Sequence, residues 1–358
     1  MVDYIIVGCG LAGIAFCESA EQNSKTFVVV NTIDNASSNV AAGLYNPVIL
    51  KRFSQVWHAN EQLEILTDFY SNLEHKLNCK LDYKLPIYRK LFSIEEQNNW
   101  FMATDNPKIS NHLSSTLIKN NYKYLTNSFG FGAVLNTGYV DTKLLVSKYI
   151  DYLVLNKNYI NESFDYQDLF FEDDFVLYKN YKAKQIIFCE GFQSRFNPFF
   201  NYLPLDGTKG EILLVHAPDL NVAVIINASI YLIPVGNDNY KVGATYNWED
   251  KTNAPTEIGK QELVSNLRNL IQCDFEIIEH LAGVRPTVKD RRPLVGSHPS
   301  IKNMYILNGL GTRGVMLAPE LASHLYHYIE NNVALDAHID VKRFDKFHSS
   351  NLDYSSQT

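Results

Sequence analysis

Tyr4-Ile5-Ile6-Val7-Gly8-Cys9-Gly10-Leu11-Ala12-Gly13 opens the chain as an apolar run that stops at a glycine. A helical pattern, Ile14 to Ala20, follows at once. The order is buried strand, glycine turn, helix, with Gly8, Gly10 and Gly13 at G-x-G-x-x-G spacing. Each glycine has a separate task in such a turn. Gly8 permits the tight bend, Gly10 lets a pyrophosphate approach the backbone, and Gly13 lets helix and strand pack closely. Leu11 and Ala12 open the helix, whose free N–H groups then face the phosphates. The spacing predicts a dinucleotide site. The alternative is an ordinary strand-to-helix turn.

Composition bounds the rest. A chain of 358 residues implies about two domains. Hydrophobic residues make up 46%, enough for sizeable cores, and a net charge of -7 argues against an electrostatic nucleic-acid binder. Cys9, Cys17, Cys79, Cys189 and Cys273 are odd in number and contain no C-x-x-C pair. That pattern reads as a reducing compartment, with neither a zinc site nor a disulfide framework. Asp3 and the early glycines argue against a signal peptide, and no apolar run reaches the roughly 18 residues of a membrane span. A soluble, cytoplasmic protein without bound metal is expected.

A second buried strand, Thr26 to Val30, ends at Asn31, where dinucleotide folds usually carry an acid that bonds the ribose hydroxyls. Asn31 can bond a hydroxyl without charge, or can simply start the next turn. Ser37 to Pro47 (S-S-N-V-A-A-G-L-Y-N-P) is small and polar, suited to lie against a flat ligand or a phosphate. Ser38, Ala41, Ala42, Gly43 and Leu44 are its candidate contacts, against the reading of a surface loop with a serine cap. Helices are expected over Glu61 to Leu77, Ile94 to Thr104 and Lys143 to Leu155, and strands over Tyr83 to Phe92 and within Tyr122 to Leu135. Two short strands follow, near Asp174 to Tyr178 and Gln185 to Cys189, the second reaching a ligand edge at Gly191. From Gly210 the pattern is strongly β, with a hairpin turn at Gly236 to Asn239 and one helix, Glu257 to Leu270, before Phe275 to Val284. Near the end, an apolar strand from Asn303 to Leu307 runs into N-G-L-G-T-R-G, and a helix begins at Val315 or Pro319. Gly309, Gly311 and Gly314 repeat the opening spacing, with Thr312 and Arg313 inside the turn. The domains therefore interleave.

Two glycine turns aim two helix N-termini at one ligand. One suits a pyrophosphate and the other suits negative charge elsewhere on the same cofactor, such as a reduced flavin, which points to FAD over NAD. Six segments carry a resemblance in family order. They are Ile5–Gly13, Ala41–Pro47, Gly138–Asp141, Tyr231–Pro234 with Val242–Thr245, Ala282–Gly296 (A-G-V-R-P-T-V-K-D-R-R-P-L-V-G) and Gly309–Pro319. Together they cover nearly the whole chain. The chain resembles the FAD-dependent oxidoreductases of the D-amino-acid oxidase and glycine oxidase type. It is also similar to the oxidase domain of the bifunctional enzyme that modifies wobble uridine in tRNA. The resemblance implies an α/β, Rossmann-like FAD-binding domain with an interleaved, β-rich antiparallel substrate domain. The boundaries expected are 1–80, 136–206 and 285–345 for the first, 81–135 and 207–284 for the second, and a polar tail, 346–358.

The resemblance also implies removal of a hydride from the carbon beside an amine of a small amino acid or secondary amine, with oxygen taking the electrons. No side-chain base is obligatory. Arg285 matches the arginine that holds a substrate carboxylate, a task suited to its planar fork, against an internal ion pair with Asp290. Tyr231 matches a pocket-lining position, against a core tyrosine, and Arg313 is placed to touch flavin or substrate, against a surface or packing role. Glu190 stands where the family has a small or hydroxyl residue. Two other functions fit the resemblance: oxidation of an aminomethyl-uridine in tRNA, and a flavin-binding subunit or sensor without turnover. The purified protein is expected to be yellow, with flavin absorption bands; a colourless protein would remove every flavin reading.

Overall fold

A computed structural model of the chain describes residues 1–32 and 37–348, so most of the expected tail lies outside the described residues. The chain divides into two compact units. The first comprises Met1–Asn39, Thr142–Thr208 and the chain from Val284 onward; the second comprises Val40–Asp141 and Lys209–Gly283. The division differs from the sequence reading at 40–80 and 136–141, which belong to the second unit. The cause is a small sheet in which Gly138–Val140 pairs with both Leu44–Tyr45 and Asp82–Lys84.

The first unit is built on a parallel sheet. Its strand order is Tyr159–Asn161, Phe27–Asn31, Val2–Val7, Tyr181–Phe188 and Met304–Asn308, each parallel to the next. Tyr4, Ile5 and Ile6 are fully buried, as a strand covered on both faces requires. The antiparallel strands Leu169–Phe171 and Val176–Tyr178 attach to the first half of Tyr181–Phe188. That leaves its second half to Met304–Asn308. The strands next to Val2–Val7 lie on opposite sides and come from different parts of the chain, so the switch point of the sheet falls at the end of this strand. Helix Leu11–Gln22 packs against Gly314–Asn331 and Thr142–Leu155. Its buried Glu18 accepts a bond from Tyr149 Oη at 2.7 Å. Pro319 lies inside Gly314–Asn331 and does not start it.

The second unit carries a seven-stranded sheet ordered Glu276–Val288, Leu205–His216, Asn239–Gly243, Tyr231–Gly236, Ile225–Asn227, Ile87–Lys90 and Phe131–Val134. From Leu205–His216 to Phe131–Val134 its pairs are antiparallel, as expected, except that Ile225–Asn227 runs parallel to Ile87–Lys90. Pro86 divides the strand expected over 83–92 into two, because it has no N–H to donate. Only Phe131–Val134 forms a strand within 122–135. Asn237 and Asp238 both have positive φ, which gives the hairpin turn the twist of its strands. Opposite faces of the sheet carry different cores. Leu213, Ile226, Leu232 and Val242 pack with helix Glu257–Arg268, whereas Ile87, Ile225 and Ile233 pack with Trp100 and Val134.

Lys209 is fully buried. Its ammonium bonds Asp250 Oδ2 at 2.5 Å and the Ala254 carbonyl, and it lies 3.7 Å from Glu211. Glu211 in turn accepts from Thr256 N at 2.9 Å and Thr256 Oγ1 at 2.7 Å. The Lys209 ammonium holds Asp250 down at about 2, so their attraction is present above the ordinary carboxylate range and is lost as pH falls toward 2. Lys209→Met strands two carboxylates beside a buried apolar chain. A loss of about 3 to 5 kcal/mol is expected, read from the urea midpoint at neutral pH.

Candidate functional site

The first turn is set by backbone contacts. Gly8 has φ +100°, and a Cβ there would lie 2.5 Å from the Cys189 carbonyl oxygen. A Cβ on Gly13 would lie 2.0 Å from the Gly8 carbonyl oxygen. Both glycines are therefore required by packing alone. Gly10 differs: its Cβ would meet only Ser38 Oγ, at 3.2 Å. Gly10 is also the N-cap of Leu11–Gln22 and has no side chain to cap it. Leu11 N donates to Ser38 Oγ at 3.3 Å, and the amides of Ala12 and Gly13 have no acceptor among the described residues. Ser38 thus takes one of the free amides and leaves the rest of the helix end open.

Asn31 reaches this turn from the second strand. Its Oδ1 accepts from Cys9 N at 3.0 Å, while Nδ2 donates to the Thr32 carbonyl at 2.7 Å and to Tyr159 Oη at 3.1 Å. Its side chain therefore ties strand to turn, a role the sequence reading did not include.

The second turn lies beside the first. A Cβ on Gly314 would fall 2.9 Å from Leu11 Cδ1, so the starts of the two helices touch. Gly309 has φ +72° and is held against Val288, whose Cγ2 a Cβ would meet at 2.6 Å. Gly311 has φ +57° and open space, with only the Pro286 carbonyl oxygen at 4.0 Å. Gly311 N donates to that carbonyl at 3.0 Å, which brings Arg285 to the second turn through its chain neighbour. Thr312 is exposed, and Arg313 is the half-buried N-cap of Gly314–Asn331. Burial, helped by the Arg292 guanidinium, pushes Arg313 down from its ordinary value, so a site that supplies an anion would favour its charge. Asp290, the alternative partner considered for Arg285, pairs with Arg343 at 3.0 Å.

Asn308 is a site residue that sequence reasoning missed. Its Nδ2 donates to the Gly191 carbonyl at 2.8 Å and Ser194 Oγ at 2.6 Å, and its Oδ1 accepts from Gly309 N at 2.8 Å. It joins the turn after Tyr181–Phe188 to the second glycine turn. The dipeptide Asn308-Gly309 was the only signal, and it reads equally well as a plain turn. Gly191 has φ +59° with nothing within 4 Å of a Cβ. Glu190 has a physical account too. It accepts from Tyr166 Oη at 2.5 Å, Ser194 Oγ at 3.2 Å and Asn197 Nδ2 at 2.8 Å. Burial raises its carboxyl and these bonds oppose the rise.

The remaining candidates belong to the second unit. Gly43 has φ +75°, and a Cβ there would lie 1.9 Å from the Val140 carbonyl oxygen. Packing on the Gly138–Val140 strand therefore accounts for this glycine without a ligand. Leu44 pairs with Tyr139, Ala42 packs against the core around Trp100, and Ala41 is half-buried. Tyr231 sits in a row across three strands, paired with Asn227, which pairs with Arg89. Burial pushes its phenol up and a bond to Asn46, which the sequence reading did not single out, opposes that.

Open space at Gly311, free amides at the first helix and a second helix start in contact with it fit a dinucleotide whose far end is electron-rich. A family model described as FAD dependent oxidoreductase matches residues 3–327. The chain is 24% identical to glycine oxidase of Bacillus subtilis over 171 residues, 46% of each chain. It is 27% identical to the tRNA 5-methylaminomethyl-2-thiouridine biosynthesis bifunctional protein of Idiomarina loihiensis over 128 residues, 34% of this chain and 21% of that relative's length. Among solved structures, iminodiacetate oxidase from Chelativorans sp. superposes with TM-score 0.77 at 16% identity, covering 94% of this chain and 98% of that one. Glycine oxidase from Bacillus cereus gives 0.73 at 18% identity, covering 93% and 96%. These two likenesses show the fold.

The glycines separate folding from cofactor binding. Gly13→Ala is expected to abolish soluble folded protein. Gly10→Ala is expected to keep the far-UV circular dichroism and lose roughly tenfold or more in FAD affinity, measured by flavin fluorescence on titration of the apoprotein.

Proposed function

This chain belongs to the FAD-dependent oxidoreductase family, and on that footing we propose that it oxidises the carbon–nitrogen bond of a small amino acid or secondary amine. Bound FAD supplies the hydride acceptor. Arg285 holds the substrate carboxylate through two parallel bonds, which orients the carbon to be oxidised. Arg313 with the start of its helix favours negative charge near the second turn. The amine leaves as an imine that water hydrolyses, and oxygen takes the two electrons to give hydrogen peroxide. The observation that carries this reading is the bond from Gly311 N to the Pro286 carbonyl, which ties the Arg285 segment to a glycine turn in contact with the first helix.

A tRNA aminomethyl-uridine substrate is the second reading, favoured by the match to the bifunctional tRNA-modifying relatives and opposed by the net charge of -7. Anaerobic mixing with glycine, sarcosine, D-amino acids and aminomethyl-uridine nucleosides separates the two by which compound bleaches the flavin. Bleaching by none of them would leave a flavoprotein without amine turnover. For a bleaching amino acid, Arg285→Ala is expected to raise KM about 100-fold, as the loss of a charge-assisted carboxylate anchor does. An amine lacking the carboxylate should lose far less.

A further inference from the structure

The reaction above makes no use of Glu190. This residue stands beside the switch point of the parallel sheet. Its Cα lies 3.4 Å from where a Cβ of Gly8 would be, and the carbonyl of Gly191 next to it accepts from Asn308 Nδ2 at 2.8 Å. One neighbour is thus the first glycine turn, and the other leads to the second. Hydrogen-bond polarity runs one way through this connection. Gly309 N donates to Asn308 Oδ1, which fixes Nδ2 as the group that donates to Ser194 Oγ at 2.6 Å. The Ser194 hydroxyl, having accepted there, donates to Glu190 Oε2 at 3.2 Å. From the other side, Phe199 N donates to Asn197 Oδ1 at 2.9 Å, so Asn197 Nδ2 donates to the same Oε2 at 2.8 Å. Ser194 and Asn197 are both buried.

Oε2 holds two donors, which leaves Oε1 as the oxygen that can carry a proton. Oε1 meets Tyr166 Oη at 2.5 Å, and a hydroxyl can donate or accept. The same three contacts therefore serve the carboxylate and the carboxylic acid. All three partners are neutral, and among the described residues no lysine, arginine or histidine pairs with Glu190. The charged groups on the neighbouring elements are engaged elsewhere or lie at the second turn. Arg195 pairs with Asp206 at 3.0 Å, Asp165 accepts from Gln167 N, Asp168 lies 3.8 Å from Lys179, and Arg313 is the N-cap of Gly314–Asn331. Burial pushes Cys9 up to about 12 and raises Cys189 and Tyr166 as well, so none of these three changes charge near neutral pH. What favours the carboxylate in the free protein is the positive ends of two helices, Leu11–Gln22 and Gly314–Asn331. A dinucleotide binds at such helix starts and brings its own negative charge.

We propose that Glu190 is a positioning residue of the FAD site and that the site takes up one proton on this carboxyl as FAD binds. The pyrophosphate and the carboxylate compete for the same helix starts. A proton on Oε1 ends the competition without moving a heavy atom, because Tyr166 turns from donor to acceptor. The inference rests on FAD binding alone and not on which amine is oxidised. The neutral acid is the form that favours FAD. Affinity is therefore greatest at low pH and falls as pH rises between the Glu190 pKa of the free protein and that of the loaded one, by at most about tenfold per pH unit for one proton.

The test uses the full chain loaded with FAD and dialysed to equilibrium from about pH 5 to about pH 9, where the pyrophosphate stays ionised. Flavin absorption on the two sides gives Kd, and calorimetry in two buffers of different ionisation enthalpy counts the protons taken up. The wild-type Kd is expected to rise about tenfold across the range, with proton uptake on binding. Glu190→Gln can keep all three contacts, its amide donating to Tyr166 Oη. It is expected to hold FAD at every pH as tightly as the wild type does at the acid end, with no proton uptake. Ser194→Ala keeps the carboxyl and removes a bond that opposes its rise, so its profile is expected to keep the wild-type shape and move to higher pH. That variant decides the question if Glu190→Gln does not fold. A flat wild-type Kd, a Glu190→Gln profile that follows the wild type, or a Ser194→Ala profile that stays in place would overturn the inference and leave FAD binding intact. A wild type that retains no FAD at any pH would overturn both.

Discussion

The first unit depends on one close approach, the backbone of Gly13 against the carbonyl oxygen of Gly8. A methyl group at Gly13 would sit 2.0 Å from that oxygen. Without the contact the helix could not start directly at the end of the buried strand, and its amides would not point along the strand axis. Gly8 is held in the same way against the Cys189 carbonyl, so the turn is locked to a second parallel strand. Leu11, fixed by this geometry, then fills the space left by Gly314. The missing side chains at the two ends of the chain are in this sense one constraint.

Around that constraint the polar groups are distributed economically. Asn31, Ser38 and Asn308 each bond a backbone group of a glycine turn or its neighbour. Each leaves other amides of the same turn available. Glu190 is a half-buried carboxylate beside the turns, and three donors offset its burial. The second unit uses charge differently. Lys209 and Glu211 lie two residues apart on one strand and hold a loop that hydrophobic contact alone would leave loosely fixed.

Much of the fold was legible in the sequence because its signals are local. Apolar runs that stop at glycine, helical spacing of leucines, and the Gly236–Asn239 turn all act over a few residues, and the structure has elements at each. Less of the candidate site was legible. Gly43 looked like a residue cleared for a ligand, but the Val140 carbonyl explains it. Asn31 looked like a ribose contact or a turn residue, and its amide is engaged by Cys9, Thr32 and Tyr159. In both cases the deciding partner lies far along the chain, and nothing in the local sequence names it.

By itself, the sequence determined the two strand–turn–helix pieces, their glycine spacing and the β-rich insertion between them, because backbone freedom and hydrophobic period are written residue by residue. Only the tertiary structure decided which glycines are demanded by packing and which leave room. It alone assigned 40–80 to the second unit and satisfied Glu190. The first outcome depends on the pairing of Leu44–Tyr45 with the distant Gly138–Val140 strand, and the second on three side-chain donors that only the folded turn brings to one carboxylate.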